Sequence, residues 1–195
     1  KGQALFKKGT WGGTGPISTG FRVKDHGAFR QLYLSFWIQL SSNWHGNASG
    51  VNKIFHLWIA GGNRVYLNAH GIAANPLKAR VHFQGMGIPV PSISWNGVPN
   101  LGPANASTIV RGKWHNWELL LKANTPGSLD GEAHWWVDGV KVGQYTQAGY
   151  CNSSEGKLQN TWQQVDWNPT YGGGVDTIPS DQFMWMDHIY ISAAP

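Results

Sequence analysis

The sequence of 195 residues contains little cysteine, few helix-forming residues and no long apolar segment. Its single cysteine, Cys151, cannot form an intrachain disulfide, which excludes a disulfide-stapled scaffold. No apolar run approaches the ~20 residues that a membrane-spanning helix needs, so we expect a soluble protein without a membrane partner. Because the good helix formers Ala, Leu, Glu and Lys are sparse, a helical fold is disfavoured.

Glycine, proline and aromatic residues are abundant instead. The chain has 26 Gly and 10 Pro, which interrupt it often, and 12 Trp, 6 Tyr and 7 Phe, which favour strands. Apolar and polar residues alternate with a period of two, as in half-buried strands. The longest such segment has one apolar face, formed by Leu32, Leu34, Phe36, Ile38 and Leu40. We therefore predict an all-β fold, an antiparallel β-sandwich.

Shorter alternating segments predict further strands. Between residues 53 and 59, alternation points one set of side chains inward (Phe55, Leu57 and Ile59) and the other set outward (Ile54, His56 and Trp58). Turns are predicted at residues 61–63, 124–127 and 138–139. We expect a single domain over residues 1–195, with residues 1–20 as a loosely attached N-terminal strand and residues 151–180 as a long loop.

Acidic residues are absent from one long part of the chain. The net charge is +5, and the 92 residues from His26 to Trp117 contain no Asp or Glu. An even spread of the 10 acids would place about five there. This distribution predicts an anionic partner. Nucleic acid is disfavoured because the sequence has no RNP-like, helix-turn-helix or zinc-finger pattern.

Two predicted neighbouring strands carry unusual polar side chains on one face. The first contributes Arg64, Tyr66, Asn68 and His70, and the second contributes Arg80, His82 and Gln84. Side chains on one face of a strand stand ~7 Å apart, so these seven form a polar surface above an apolar one. Trp37 and Trp58 are expected to flank it and to offer flat surfaces to sugar rings.

Three chemistries can be compared with this surface. Glycoside hydrolysis normally needs two carboxylates, and the predicted surface has none. β-Elimination of a uronide needs a cation to neutralise the C5 carboxylate, a base to remove the α-proton and an acid for the leaving oxygen, and Arg, His and Tyr supply these roles. A zinc site is disfavoured, because His56, His70 and His82 lack a metal-ligand spacing.

Several segments resemble the concanavalin A-like jelly-roll polysaccharide lyases, the alginate- and glucuronan-lyase-like families. They are Gly112-Lys-Trp-His-Asn-Trp-Glu-Leu, Lys122-Ala-Asn-Thr-Pro-Gly127, Gly131-Glu-Ala-His-Trp-Trp-Val-Asp-Gly139, Met186-Asp-His-Ile-Tyr-Ile-Ser192 and Val51-Asn-Lys-Ile-Phe. The resemblance implies a jelly roll whose concave sheet forms a cleft with basic and Tyr residues. The positions that carry over are Lys53, Arg64, Tyr66, Arg80 and His82.

Together these observations favour a polysaccharide lyase that acts on an anionic, uronate-containing glycan. Arg64 or Arg80 would neutralise the carboxylate; His82 or His56 with Tyr66 would transfer protons, with Lys53 on the adjacent strand and Tyr145 or Tyr150 as further candidates. The alternatives are a non-catalytic carbohydrate-binding module, with Trp37, Trp58, Asn68, His70 and Gln84 as contacts, and a glycoside hydrolase. No cofactor is required, and structural calcium between residues 151 and 187 stays open. We expect a secreted or periplasmic bacterial monomer.

Overall fold

Over the residues that the structure describes, the protein is an antiparallel β-sandwich of two six-stranded sheets, as the sequence predicts. The computed structural model describes residues 1–60, 64–84, 106–150, 160–174 and 176–194. The first sheet has the strand order β1-β12-β3-β8-β9-β10 and the second has the order β2-β11-β4-β5-β6-β7. No helix in these residues is long and apolar enough to cross a membrane.

The strands have the following bounds. In the first sheet they are β1 (Gly2–Phe6), β3 (Gln31–Leu40), β8 (Trp114–Lys122), β9 (Gly131–Val137), β10 (Val140–Ala148) and β12 (Gln182–Ser192). In the second they are β2 (Thr19–Phe21), β4 (Asn52–Ile59), β5 (Arg64–His70), β6 (Leu77–Gln84), β7 (Thr108–Ile109) and β11 (Trp162–Tyr171). A short 3₁₀ helix covers Val23–His26.

The core fills the space between the two sheets with the apolar face of each strand. The five apolar residues from Leu32 to Leu40 that alternate along β3 are all buried, as predicted. Phe36 packs edge-on against Phe55 of the second sheet, with ring centroids 4.8 Å apart, and stacks on Trp117 at 5.9 Å. Full burial of each such ring stabilises the fold by about 1.5–3 kcal/mol.

The predicted hairpin at Asp138-Gly139 is confirmed. Both residues have positive φ, 50° and 77°, and they join β9 to β10. The strand predictions for β3 and β5 are also close to the observed bounds. The turn predicted at residues 61–63 lies outside the described residues.

The prediction of a loop over residues 151–180 is wrong for residues 162–171. These residues form β11, which pairs with β2 on one side and β4 on the other. The alternation was hidden because the register shifts twice, between Trp162 and Gln164 and between Trp167 and Thr170. Pro169 lies in the second irregularity, where a missing N–H is tolerated. Residues 151–159 are outside the described residues.

The N-terminal strand is held more firmly than predicted. All five residues of β1 pair with β12, and Ala4 and Phe6 are buried. The Phe6 ring meets that of Trp44 edge-on at 5.0 Å. This segment is therefore an integral edge strand of the first sheet.

Candidate functional site

The site residues lie on the face of the second sheet that points away from the core, which we call the polar face. Register places them in three rows across β4, β5 and β6. The rows are His56–Tyr66–His82, Lys53–Asn68–Arg80 and Trp58–Arg64–Gln84. The predicted convergence of the β5 and β6 side chains is therefore observed, with His70 in a further row beside Lys78.

Lys53 reaches the polar face because β4 is irregular. The register between β4 and β5 shifts between Lys53 and His56, so two residues of β4, Ile54 and Phe55, lie opposite the single residue Leu67 of β5. The bulge turns Ile54 into the core, where it is fully buried, and corrects the prediction that Ile54 lies on the same face as His56. It also brings the Lys53 ammonium above the Tyr66 ring, 4.9 Å from the centroid.

The central row is a buried aromatic layer. The Tyr66 and His82 rings are stacked 5.0 Å apart and inclined by only 7°, and the His56 ring lies 6.2 Å from Tyr66 on the other side. All three residues are buried. Loss of solvation, helped by neighbouring cations, lowers the pKa of His56 to about 4 and that of His82 to about 3. Both imidazoles are therefore neutral at pH 7.

The Tyr66 phenol is also uncharged, because burial disfavours the charged form of any side chain. Burial raises its pKa to about 12, although Arg64 opposes that shift. The phenol therefore keeps its proton at pH 7 and can act as a donor. The Nε2 atom of His56 is buried and has no hydrogen-bond partner among the described residues.

Asn68 fixes the tautomers of two histidines. Its Oδ1 accepts the backbone N–H of Asn52 at 2.6 Å, which orients the side-chain amide. Its Nδ2 then donates to His82 Nε2 at 3.2 Å and to His70 Nδ1 at 3.3 Å. Each of these ring nitrogens must accept, so His82 carries its proton on Nδ1 and His70 on Nε2.

Three cations are less buried and lie over this layer or beside it. They are Lys53, Arg64 and Arg80. The Arg64 guanidinium lies 4.9 Å above the Trp58 ring, and its Nε donates to Gln84 Oε1 at 2.9 Å. Burial, followed by repulsion from Arg64, lowers the pKa of Lys53. No carboxylate of the described residues is within ion-pair distance of Lys53 or Arg64.

Asp166 is the site residue that sequence reasoning missed. It pairs with His56 across β11 and β4 and is buried. The prediction that the polar face has no carboxylate is therefore wrong. Its Oδ2 accepts the indole N–H of Trp58 at 2.6 Å, and its Oδ1 accepts from Gln164. Recognition of β11 as a strand would have revealed it. A single carboxylate falls short of the pair that glycoside hydrolysis normally uses.

The two tryptophans predicted to flank the polar face have different positions. Trp58 is on it, but its ring supports Arg64 and its indole N–H binds Asp166. The prediction for Trp37 is wrong, because β3 belongs to the first sheet and Trp37 points outward from that sheet. Tyr145 of β10 and Tyr150, which follows that strand, are both buried in the core, and Tyr150 donates to the Glu132 carbonyl at 2.8 Å.

The described residues contain no group of three or more His, Cys, Asp or Glu side chains that could hold a metal ion. Cys151 lies outside the described residues. Structural calcium between residues 151 and 187 stays a prediction.

The fold is similar to solved structures of polysaccharide lyases. An alginate lyase, Aly36B, solved with an alginate trisaccharide, matches with a TM-score of 0.75 at 14% identity, over 97% of this chain and 80% of that one. The alginate lyase vAL-1 of Chlorella virus matches with a TM-score of 0.62 at 15% identity, over 97% and 83% of the two chains.

A third match is the endo-β-1,4-glucuronan lyase of Trichoderma reesei, with a TM-score of 0.56 at 15% identity, over 97% and 78% of the two chains. The fold is that of the jelly-roll polysaccharide lyases. At these identities the likeness establishes the fold alone. No family model matches the sequence, and no curated protein matches it either.

Proposed function

We propose that the protein is a polysaccharide lyase that cleaves an anionic, uronate-containing glycan by β-elimination. The observation that carries the proposal is the polar face itself, where Lys53, Arg64 and Arg80 accompany a neutral layer of His56, Tyr66 and His82. The fold it shares with alginate and glucuronan lyases supports the same reaction class.

The cations suit the first requirement of β-elimination. Pairing of Arg64 or Arg80 with the C5 carboxylate disperses its charge and makes the C5 proton more acidic. Arg64 is the better placed for this role, because Trp58 and Gln84 fix the orientation of its guanidinium. A fixed, planar guanidinium binds a carboxylate through two hydrogen bonds.

We assign removal of the C5 proton to Lys53. Its lowered pKa increases the share of neutral amine, which is the form that accepts a proton. The electrons of the C5–H bond form the C4=C5 double bond while the C4–O bond breaks. The leaving oxygen takes a proton from Tyr66 or from the newly formed ammonium of Lys53. His82 is less suited as the base, because its Nε2 lone pair already accepts from Asn68.

One observation favours a second candidate, a carbohydrate-binding module. The Tyr66 hydroxyl and the His56 Nε2 atom are buried, so the accessible part of the polar face is mainly cationic and amide. Such a surface can hold a polyuronate without turnover.

In the test, the protein is incubated with a panel of polyuronates and neutral glucans. Unsaturated uronide ends are measured by ultraviolet absorbance, and total reducing ends are measured in the same samples. We expect both signals to rise together on a polyuronate. Reducing ends without absorbance would identify a hydrolase. Retention on a polyuronate affinity gel with neither signal would identify a binding module.

We propose further that the protein acts outside the cytoplasm, since its polymeric substrate does not cross membranes, and that it acts as a monomer. Size-exclusion chromatography with light scattering tests the second point, and a mass of about twice 21.5 kDa would contradict it.

A further inference from the structure

The outer face of the first sheet, on the opposite side of the molecule from the polar face, has exposed aromatic side chains where solvated polar residues are usual. Trp37 of β3 and Tyr190 of β12 are 40% and 55% exposed. Trp37 and Trp114 of β8 line a cavity of about 610 Å³ together with Lys1, Ser35, Asp187 and His188. Scattered single aromatics are ordinary on a surface, whereas a lined cavity indicates a binding site.

The two tryptophans stand side by side. Trp37 pairs with Asn116 and Gln39 pairs with Trp114, so the tryptophans are diagonal neighbours on one face. Diagonal neighbours lie about 7–8 Å apart, within the length of one or two sugar rings. Flat rings at this spacing offer two adjacent surfaces to the apolar faces of consecutive sugars.

An irregular turn of β12 completes the cavity with polar groups. The register between β12 and β3 shifts between Asp187 and Tyr190, and His188 in this bulge has a φ of 48°. A non-glycine residue in the left-handed region is strained, and such residues cluster at functional sites. The bulge places Asp187 and His188 in the lining of the cavity. Asp187 Oδ1 accepts the His188 N–H at 2.9 Å and lies 3.7 Å from the Lys1 backbone nitrogen, and the second carboxylate oxygen can accept a hydrogen bond from a hydroxyl group.

Basic groups of this face lie beside carboxylates, which, in the part of the chain that the structure describes, Lys53 and Arg64 of the polar face do not. Glu132 binds both Lys122 and His134, each at 2.9 Å. Glu118 accepts the Tyr33 hydroxyl at 2.6 Å. The cation at the cavity is Lys1, whose ammonium lies 5.1 Å from the centroid of the Trp114 ring and whose backbone nitrogen lies 3.7 Å from the Asp187 carboxylate. Among the described residues, this face therefore has no cationic cluster like Lys53, Arg64 and Arg80 that would attract a polyanion. Aromatic rings with a carboxylate and a hydroxyl are suited to an uncharged sugar.

We propose that this outer face is a second glycan-binding site, specific for an uncharged polysaccharide. The Trp37 and Trp114 rings stack on consecutive sugars, with the Lys1 side chain displaced from the Trp114 ring, and Asp187 and Ser35 bind the hydroxyl groups of these sugars. The site is independent of the lyase proposal, because it uses no residue of the polar face. It would hold the protein on a neutral polymer while the polar face meets an anionic one.

The experiment is affinity electrophoresis and calorimetry of the whole protein with cellohexaose, xylohexaose, mannohexaose and the corresponding soluble polymers. We expect one uncharged glycan to bind, with a Kd that salt leaves unchanged. Trp37→Ala and Trp114→Ala should each raise that Kd about tenfold, equivalent to about 1.4 kcal/mol. Trp11→Ala is the matched control, since Trp11 is 62% exposed and lies elsewhere.

Polyuronate binding should be the same in all three variants, so failure here is distinguishable from failure of the lyase proposal. Absence of binding to every uncharged glycan would overturn the proposal. So would equal affinity in the Trp37→Ala variant and the unmodified protein. Self-association that Trp37→Ala abolishes would also overturn it, because the face would then be a protein interface.

Discussion

Substitution of Asn68 by leucine tests whether one buried amide organises the polar face. Asn68 is fully buried and bonds to the backbone N–H of Asn52 and to His82 and His70. Leucine has a similar volume and can make none of these bonds. The variant therefore removes the hydrogen bonds that Asn68 makes to the buried Asn52 N–H and to the His82 Nε2 lone pair, while half-buried His70 can turn to water.

The expected loss of stability follows from those two groups. Each buried polar atom left unsatisfied costs about 1–3 kcal/mol, and burial of the leucine side chain recovers part of this. We expect the free energy of unfolding to fall by about 2–4 kcal/mol. Urea denaturation followed by tryptophan fluorescence measures it, with Asn75→Leu as the control because Asn75 is an exposed loop residue.

Asn68→Asp separates the tautomer argument from simple packing. A carboxylate can still accept the Asn52 N–H, but towards His82 it can only accept, so His82 must become the donor. We expect the pKa of His82 to rise well above 3, because an opposite charge favours the imidazolium. NMR titration of the His82 ring measures this. An unchanged His82 titration, or an Asn68→Leu variant as stable as Asn75→Leu, would refute the reasoning.

Three further predictions concern pH, packing and charge. As pH falls below the ordinary histidine pKa of ~6.5, His56 and His82 take up protons in the unfolded chain but stay neutral in the folded protein until about pH 4 and pH 3. The free energy of unfolding should therefore fall by about 1.4 kcal/mol per pH unit for each histidine, as measured by urea denaturation at a series of pH values. The same slope in the double variant His56→Phe with His82→Phe would contradict this. Gly143→Ala should cost about 1–3 kcal/mol in thermal or urea unfolding, because its Cβ would lie 1.8 Å from Trp135, whereas Gly173→Ala, with nothing within 4 Å, should be neutral. Polyuronate binding should weaken about tenfold between ~0.05 and ~0.5 M salt in calorimetry, and a salt-independent Kd would argue against ligand binding at Lys53, Arg64 and Arg80.

The regular part of the polar face could be predicted because strand periodicity is strict. Alternation along β5 placed Arg64, Tyr66, Asn68 and His70 on one face, and the same rule placed His82 beside them. Nothing irregular interrupts β5 or the β5–β6 pairing, so a period of two holds throughout.

The irregular part could not be predicted, because a bulge inverts the pattern on which the argument depends. The shift in β4 moved Ile54 into the core and Lys53 onto the polar face. Two shifts in β11 concealed both a strand and Asp166. Trp37 illustrates a different limit: alternation assigns a residue to a face of its own strand but does not say to which sheet that strand belongs.

The most direct test of lyase function is a comparison of Lys53→Ala with Lys141→Ala, a lysine of the first sheet. Both variants are titrated with the polyuronate that the unmodified protein binds, and unsaturated uronide ends are followed by absorbance. We predict that Lys53→Ala still binds with a Kd raised less than about tenfold but loses turnover by about 10²–10⁴-fold, while Lys141→Ala keeps both. Turnover that survives in Lys53→Ala would contradict the assignment of Lys53 as the base. If neither the unmodified protein nor any variant produces the absorbance on any polyuronate, the lyase proposal itself is contradicted.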